Sequence, residues 1–399
     1  MRHLSRLPAR SATRAGSVPA ARTEAGTPAG DDRSSGGRLP SLTGLRFTAA
    51  AGVVFTHCAL LSSPRLARTL GPAVWVGASA VSLFFILSGY VLTHSARPTD
   101  TARSFWRRRA AKILPNHVLT WCVAVGALAL AGTVAAHGGS GVVAHLASLF
   151  LVNSWVPSQR FLSAGNPVSW SLAAEMFFYL LFPVLLPWIR RLSRRGLLIG
   201  AVSAIALVWA GPVFSTLVLR PGEQLFPSRW FLYMLPVTRL PEFVLGMIAA
   251  RISAEGIRLP RVGVLPAALG VISAIVVNSS FLPHDFMYAA STVAPLAVLV
   301  HATAELDLRG GTSLLRTAPL VFLGEISYAM YLVHLLVLGL MFVGLTHLGW
   351  SALAAVLAAL PVIFLLSWLV YAGVERPCMR RFSTSRAHRR DRHRPAVAP

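Results

Sequence analysis

Arg46 and His57 stand eleven residues apart inside the apolar stretch 42–61, LTGLRFTAAAGVVFTHCALL. At 3.6 residues per turn, eleven steps make about three turns, so a helix would carry both side chains on one face, about 16 Å apart along its axis. A polar or charged group in hydrocarbon costs roughly 3 kcal/mol unless it faces protein or a wet cavity. Such a helix could line a pathway, its cation holding an anion and its imidazole moving a proton. Two plainer readings stay open. Arg46, one turn into the stretch, could snorkel to the surface, and His57 could bond a neighbouring helix.

Other polar residues fall inside apolar stretches at compatible depths: Glu175, the pair Arg239 and Glu242, and His334. Depth puts all of them within reach of a common cavity with His57. A histidine beside a carboxylate is a usable general base, because the carboxylate holds the ring and favours the imidazolium. Arg239 and Glu242, three residues apart, could instead pair with each other. The densest basic run, SFWRRRAAKILPNH, puts Arg109 and Lys112 on one helix face beside Pro115, near a helix start. Cations there oppose the helix dipole but suit an anion such as a phosphorylated cofactor. Topology and attraction to anionic lipid account for Arg107 and Arg108. No metal-ligand spacing, Walker loop, dinucleotide fingerprint or GxSxG elbow is present.

The elements that must position these residues are membrane spans. The 399-residue chain is 55% hydrophobic and 13% charged, with mean hydropathy +0.62, which excludes an ordinary soluble fold. Its net charge of +23 would suggest nucleic acid in a soluble protein. Here the cations fall between apolar runs, where they set topology, so no nucleic acid is implied. The spacing predicts an all-α polytopic bundle of about ten spans: 42–61, 73–93, 113–135, 168–189, 197–219, 231–250, 262–281, 286–303, 319–346 and 352–374, each near the ~20 residues a bilayer needs. The piece 142–155 is too short to count. Placing both termini in the cytoplasm puts 30 of the 37 basic residues inside and 5 outside, as the positive-inside rule requires. Residues 1–39 and 376–399 read as basic cytoplasmic tails around a transmembrane domain at 40–375, in the plasma membrane. No internal repeat is visible, which weighs mildly against a two-halved transporter.

Five stretches, in order, resemble the acyltransferase 3 family of membrane O-acyltransferases. They are LTGLRFTAAAGVVFTH; VSLFFILSGYVL; FWRRRAAKILP; NPVSWSLAAEMFFYLLFP with RLPEFVLGM; and LGEISYAMYLVH followed by VERP. The resemblance implies transfer of an acyl group, commonly acetyl, from acyl-coenzyme A as co-substrate to a hydroxyl of a saccharide or macrolide-type metabolite, with no permanently bound cofactor or metal. It makes Arg46 and His57 the required Arg–x10–His pair and Glu175 the acid of the fourth span. Arg109 and Lys112 fall on an Arg–x2–Arg pair whose second member is Lys here, which keeps the charge and loses the bidentate fork. Tyr328, Tyr331 and His334 match its SYxxYLxH signature. The roles expected are His57 as base, Glu175 as its orienting partner or an acceptor contact, and Arg46 on coenzyme A or the developing charge. Arg109 and Lys112 would bind the donor; Arg239, Glu242 and His334 would meet the acceptor. A competing reading is a proton-coupled transporter or flippase with a buried His, Glu and Arg relay.

Overall fold

The computed structural model describes residues 37–130, 138–218 and 225–382. The expected tails 1–36 and 383–399, and the ends of the predicted spans at 131–135 and 219, lie outside them. Among the described residues there is no strand, and ten helices are long and apolar enough to cross a membrane. They are α1 Pro40–Ser62, α2 Arg65–Ser95, α3 Ala102–Leu130, α4 Ser169–Arg191, α5 Arg194–Val218, α6 Phe226–Ala254, α7 Val264–Phe281, α8 His284–Leu308, α9 Ala318–His347 and α10 Ala352–Phe382. In hydrocarbon every backbone donor and acceptor must be satisfied within the segment, so runs of this length form helices. Of the short apolar piece, 142–149 belong to a 12-residue helix, Gly138–Leu149, too short to span, and Asn153–Trp155 form a 3-10 turn. Residues Arg376–Phe382, expected to begin a tail, continue α10.

Two glycine crossings set the bundle. A Cβ on Gly89 of α2 would lie 2.0 Å from the Phe243 carbonyl oxygen, and one on Gly246 of α6 would lie 2.0 Å from that of Ile86. Only hydrogen at these positions lets α2 and α6 approach backbone to backbone. Likewise a Cβ on Gly324 of α9 would meet the Thr43 carbonyl at 1.9 Å, which draws α9 against α1.

α1 is wedged between two apolar clusters. Leu42, Leu45, Ala49 and Val53 pack into the main core, while Ala50 and Val54 pack with Met330, Val333 and Ile363 of α9 and α10. At 100° per residue Arg46 and His57 fall on the seam between these stripes, so both point inward. The start of α1 is pinned from α8: Asp307 accepts from the Ser41 backbone N–H and hydroxyl, each at 2.7 Å. A carboxylate at a helix N-terminus satisfies orphan amides and suits the dipole.

Candidate active site

Two polar clusters lie along α1. The lower surrounds a narrow cavity of about 120 Å³ lined by Arg46, Ser88, Arg109, Lys112, Glu175 and Tyr331, among others. Arg109 and Lys112 reach it because a spacing of three keeps them on one face of α3. Among the described residues none of the three cations forms an ion pair, and the Arg109 Nε is buried with no hydrogen-bond partner. Glu175 is already engaged: the Ser88 hydroxyl donates to it at 2.6 Å, and the Tyr179 hydroxyl donates to the same oxygen. The cavity lining therefore sets three cations against one committed carboxylate. A second buried carboxylate, Glu375, acts on Lys112 and Arg46 from outside the lining, while Asn116 donates to it at 2.8 Å. An excess of positive charge remains, which suits an anionic ligand.

Arg109 and Leu92 also line a second, wider cavity of about 830 Å³, whose wall includes Arg97, Arg107, Arg108 and Arg190. One arginine of this set is neutralised, Arg108 by Asp100 at 2.8 Å. A roomy basic vestibule thus adjoins the smaller cavity, with Leu92 and Arg109 in the walls of both.

The upper cluster is a histidine pair. His334, fully buried on α9, points Nδ1 at the Tyr331 and Met330 carbonyl oxygens, 2.6 and 3.2 Å away. Carbonyls only accept, so Nδ1 of His334 carries the proton and its Nε2 is a lone pair. His57 Nδ1 lies 3.2 Å from that Nε2 and 3.0 Å from the Val53 carbonyl. Both neighbours are acceptors, so His57 is protonated at Nδ1, which leaves its Nε2 unprotonated and able to take a proton. Tyr331 links the clusters, because it lines the narrow cavity, donates to or accepts from Ser171 at 2.6 Å, and packs its ring 5.8 Å from that of His334.

The structure therefore groups the expected residues differently from their depths. Arg46, Arg109, Lys112 and Glu175 share one cavity; His57 lines neither cavity, and its polar side-chain neighbour is His334 rather than Glu175. His334 was expected to meet an acceptor, but both its ring nitrogens are engaged within the protein. Arg239 and Glu242 were expected at the same place, but they are fully buried and pair with each other, Nε to Oε2, at 2.8 Å. Arg239 also donates to Ser82 and to the Tyr288 carbonyl and stacks on Phe85 and Tyr233, so packing uses the whole guanidinium. Sequence reasoning missed Ser88 and Tyr179 as partners of Glu175, although Tyr179 stands at i+4 on the same helix, a spacing that signals the contact. It also left out the vestibule arginines Arg97, in the connection between α2 and α3, and Arg190, in the last turn of α4, which carry no joint signal.

A sequence profile described as an acyltransferase domain matches residues 39–372. The acyltransferase MdmB of Streptomyces mycarofaciens is 38% identical over 86% of this chain and 92% of its own length. The exopolysaccharide production protein ExoZ of Rhizobium meliloti is 30% identical over 79% of this chain and 93% of its own. The O-acetyltransferase OatA of Staphylococcus aureus is 24% identical, over 74% of this chain but 50% of its own length. No solved structure gives a significant match.

Proposed function

The chain belongs to this acyltransferase family, and from that premise we propose that it moves an acetyl-sized acyl group from acyl-coenzyme A to a hydroxyl of a saccharide or macrolide-type acceptor. The observation that carries the reading is the cavity whose lining sets Arg46, Arg109 and Lys112 against one carboxylate, Glu175, already bonded to Ser88 and Tyr179. Coenzyme A combines a phosphate-rich head with a long thin arm ending in the thioester. A basic vestibule of about 830 Å³ that shares Arg109 with a narrow cavity suits both parts. Arg107 and Arg190 would hold phosphates in the vestibule, and Arg109 would hold charge in the wall common to both.

His57 supplies the proton transfer. As the acceptor oxygen attacks the thioester carbonyl, His57 Nε2 takes the hydroxyl proton; the C–O bond forms, the C–S bond breaks, and the imidazolium returns the proton to the departing thiolate. His334 Nε2 and the Val53 carbonyl, both facing Nδ1, hold the ring and stabilise the positive charge that it gains. Arg46 lies about three turns below on the same helix and would steady the negative charge of the donor. The distribution of arginines supports cytoplasmic termini in the plasma membrane, with the vestibule open to cytosolic donor.

The test is release of free thiol from acetyl-coenzyme A by purified, detergent-solubilised protein with macrolides or polysaccharide fragments as acceptors, comparing wild type with His57→Ala and Arg109→Ala. The expected result is acceptor-dependent release that vanishes in His57→Ala and shows a raised donor KM in Arg109→Ala. If no acceptor supports release and labelled acyl-coenzyme A does not bind, the reading fails and proton-coupled transport takes its place.

A further inference from the structure

A third cavity, about 1250 Å³, shares no lining residue with the two at the candidate site. It lies between α1, α2, α7 and α8, with apolar walls that include Leu83, Ala268, Ile272 and Leu296. Ile272 is 56% and Leu265, at its edge, 70% exposed, so the cleft is open on the α7 side. In a bilayer that side faces hydrocarbon, and an apolar cleft there is a poor container for water. Along α7 the lining runs from Val264 to Ile275, about 16 Å, which is half of a ~30 Å hydrocarbon core. The cleft is therefore as deep as one leaflet.

Its polar end carries Arg258, Arg261 and Arg309 against one acid, Glu305. That acid is held by Arg309 at 2.8 Å, while Arg258 and Arg261 are exposed and have no ion pair among the described residues. Two uncommitted guanidiniums at the mouth of a cleft one leaflet deep match a phosphate joined to acyl chains. We propose that this cleft binds an anionic glycerophospholipid, with its chains against α7, α8 and the Leu45–Ala49 side of α1 and its phosphate between Arg258 and Arg261. The lipid packs on the flank of the helix that presents Arg46 and His57, and so buttresses it. The assignment stands on this cleft alone and holds whatever reaction the chain performs.

The test is native mass spectrometry of the full chain in detergent, titrated with phosphatidylglycerol and with phosphatidylcholine of the same acyl chains. Preferential retention of phosphatidylglycerol is expected, falling about tenfold in the Arg258→Gln/Arg261→Gln double variant. Both positions are exposed connections, so this variant folds as the wild type does, with an unchanged Tm in lipid-free detergent. Ala268→Trp, which fills the cleft, should weaken binding of both lipids. Equal retention of the two lipids, an unchanged preference in the double variant, or undiminished binding in a folded Ala268→Trp protein each overturns the proposal. So does competition by glycerol phosphate as effective as by the whole lipid, which would mean that the cleft holds no chains. Displacement by polyprenyl phosphate at equal concentration would overturn it in favour of an isoprenoid carrier.

Discussion

His334 presents its Nε2 lone pair to the Nδ1 proton of His57 at 3.2 Å, and its own Nδ1 proton is fixed on the Tyr331 carbonyl. One imidazole thus orients another, as a carboxylate does in a triad, without placing a second full charge in the membrane interior.

Replacing His57 by Ala removes the base, and a loss of about 10²–10⁴ in kcat is expected. His334→Ala should cost less, about tenfold to a hundredfold in kcat, with both KM values nearly unchanged, because it frees the ring without removing it. His334→Gln, which restores an acceptor near Nε2, should recover part of that loss. Steady-state kinetics on the three variants checks this, and a His334→Ala enzyme as active as wild type would remove His334 from the mechanism.

Lys112→Ala takes one of the three cations from the narrow cavity. A hydrogen bond to a charged group contributes about 1.5–3 kcal/mol, so donor KM should rise by at least about tenfold while acceptor KM stays constant. Lys112→Arg should stay near wild type. The same assay at rising salt should narrow the difference, since screening weakens the electrostatic part.

Breaking the Arg239–Glu242 pair leaves a buried charge unpaired, at a cost of about 3–5 kcal/mol. Arg239→Ala and Glu242→Ala should each lower the thermal midpoint sharply or prevent recovery of folded protein. Arg239→Met with Glu242→Leu should recover much of the loss, because neither charge is then stranded. Any folded variant should keep the wild-type KM values, which would separate a packing role from acceptor binding.

Gly246→Ala forces a methyl against the Ile86 carbonyl, 2.0 Å from where its Cβ would sit, so the α2–α6 crossing must open. Recovery of folded protein by size-exclusion chromatography should fall strongly. Gly126→Ala is the control: a Cβ there meets nothing within 4 Å, and helix propensity predicts a gain of up to about 1 kcal/mol.

The sequence by itself determined the ten spans and marked the polar residues inside them. A bilayer demands ~20 apolar residues per crossing, so each charge inside a span stands out as a departure. Helix geometry is local, so the spacing of Arg46 from His57, and of Arg109 from Lys112, was enough to put each pair on one face. Partners between helices were not determined in this way. His57 meets His334 across 277 residues of chain, and Glu175 meets Ser88 across 87. Depth along the membrane allowed His57 to face Glu175 equally well. What decided otherwise was the rotation and contact order of the helices, fixed by crossings such as Gly89 with Gly246 and Thr43 with Gly324. Hydropathy is nearly blind to that rotation, because lipid tails and helix interiors are both apolar and a span satisfies the bilayer whichever face it turns inward.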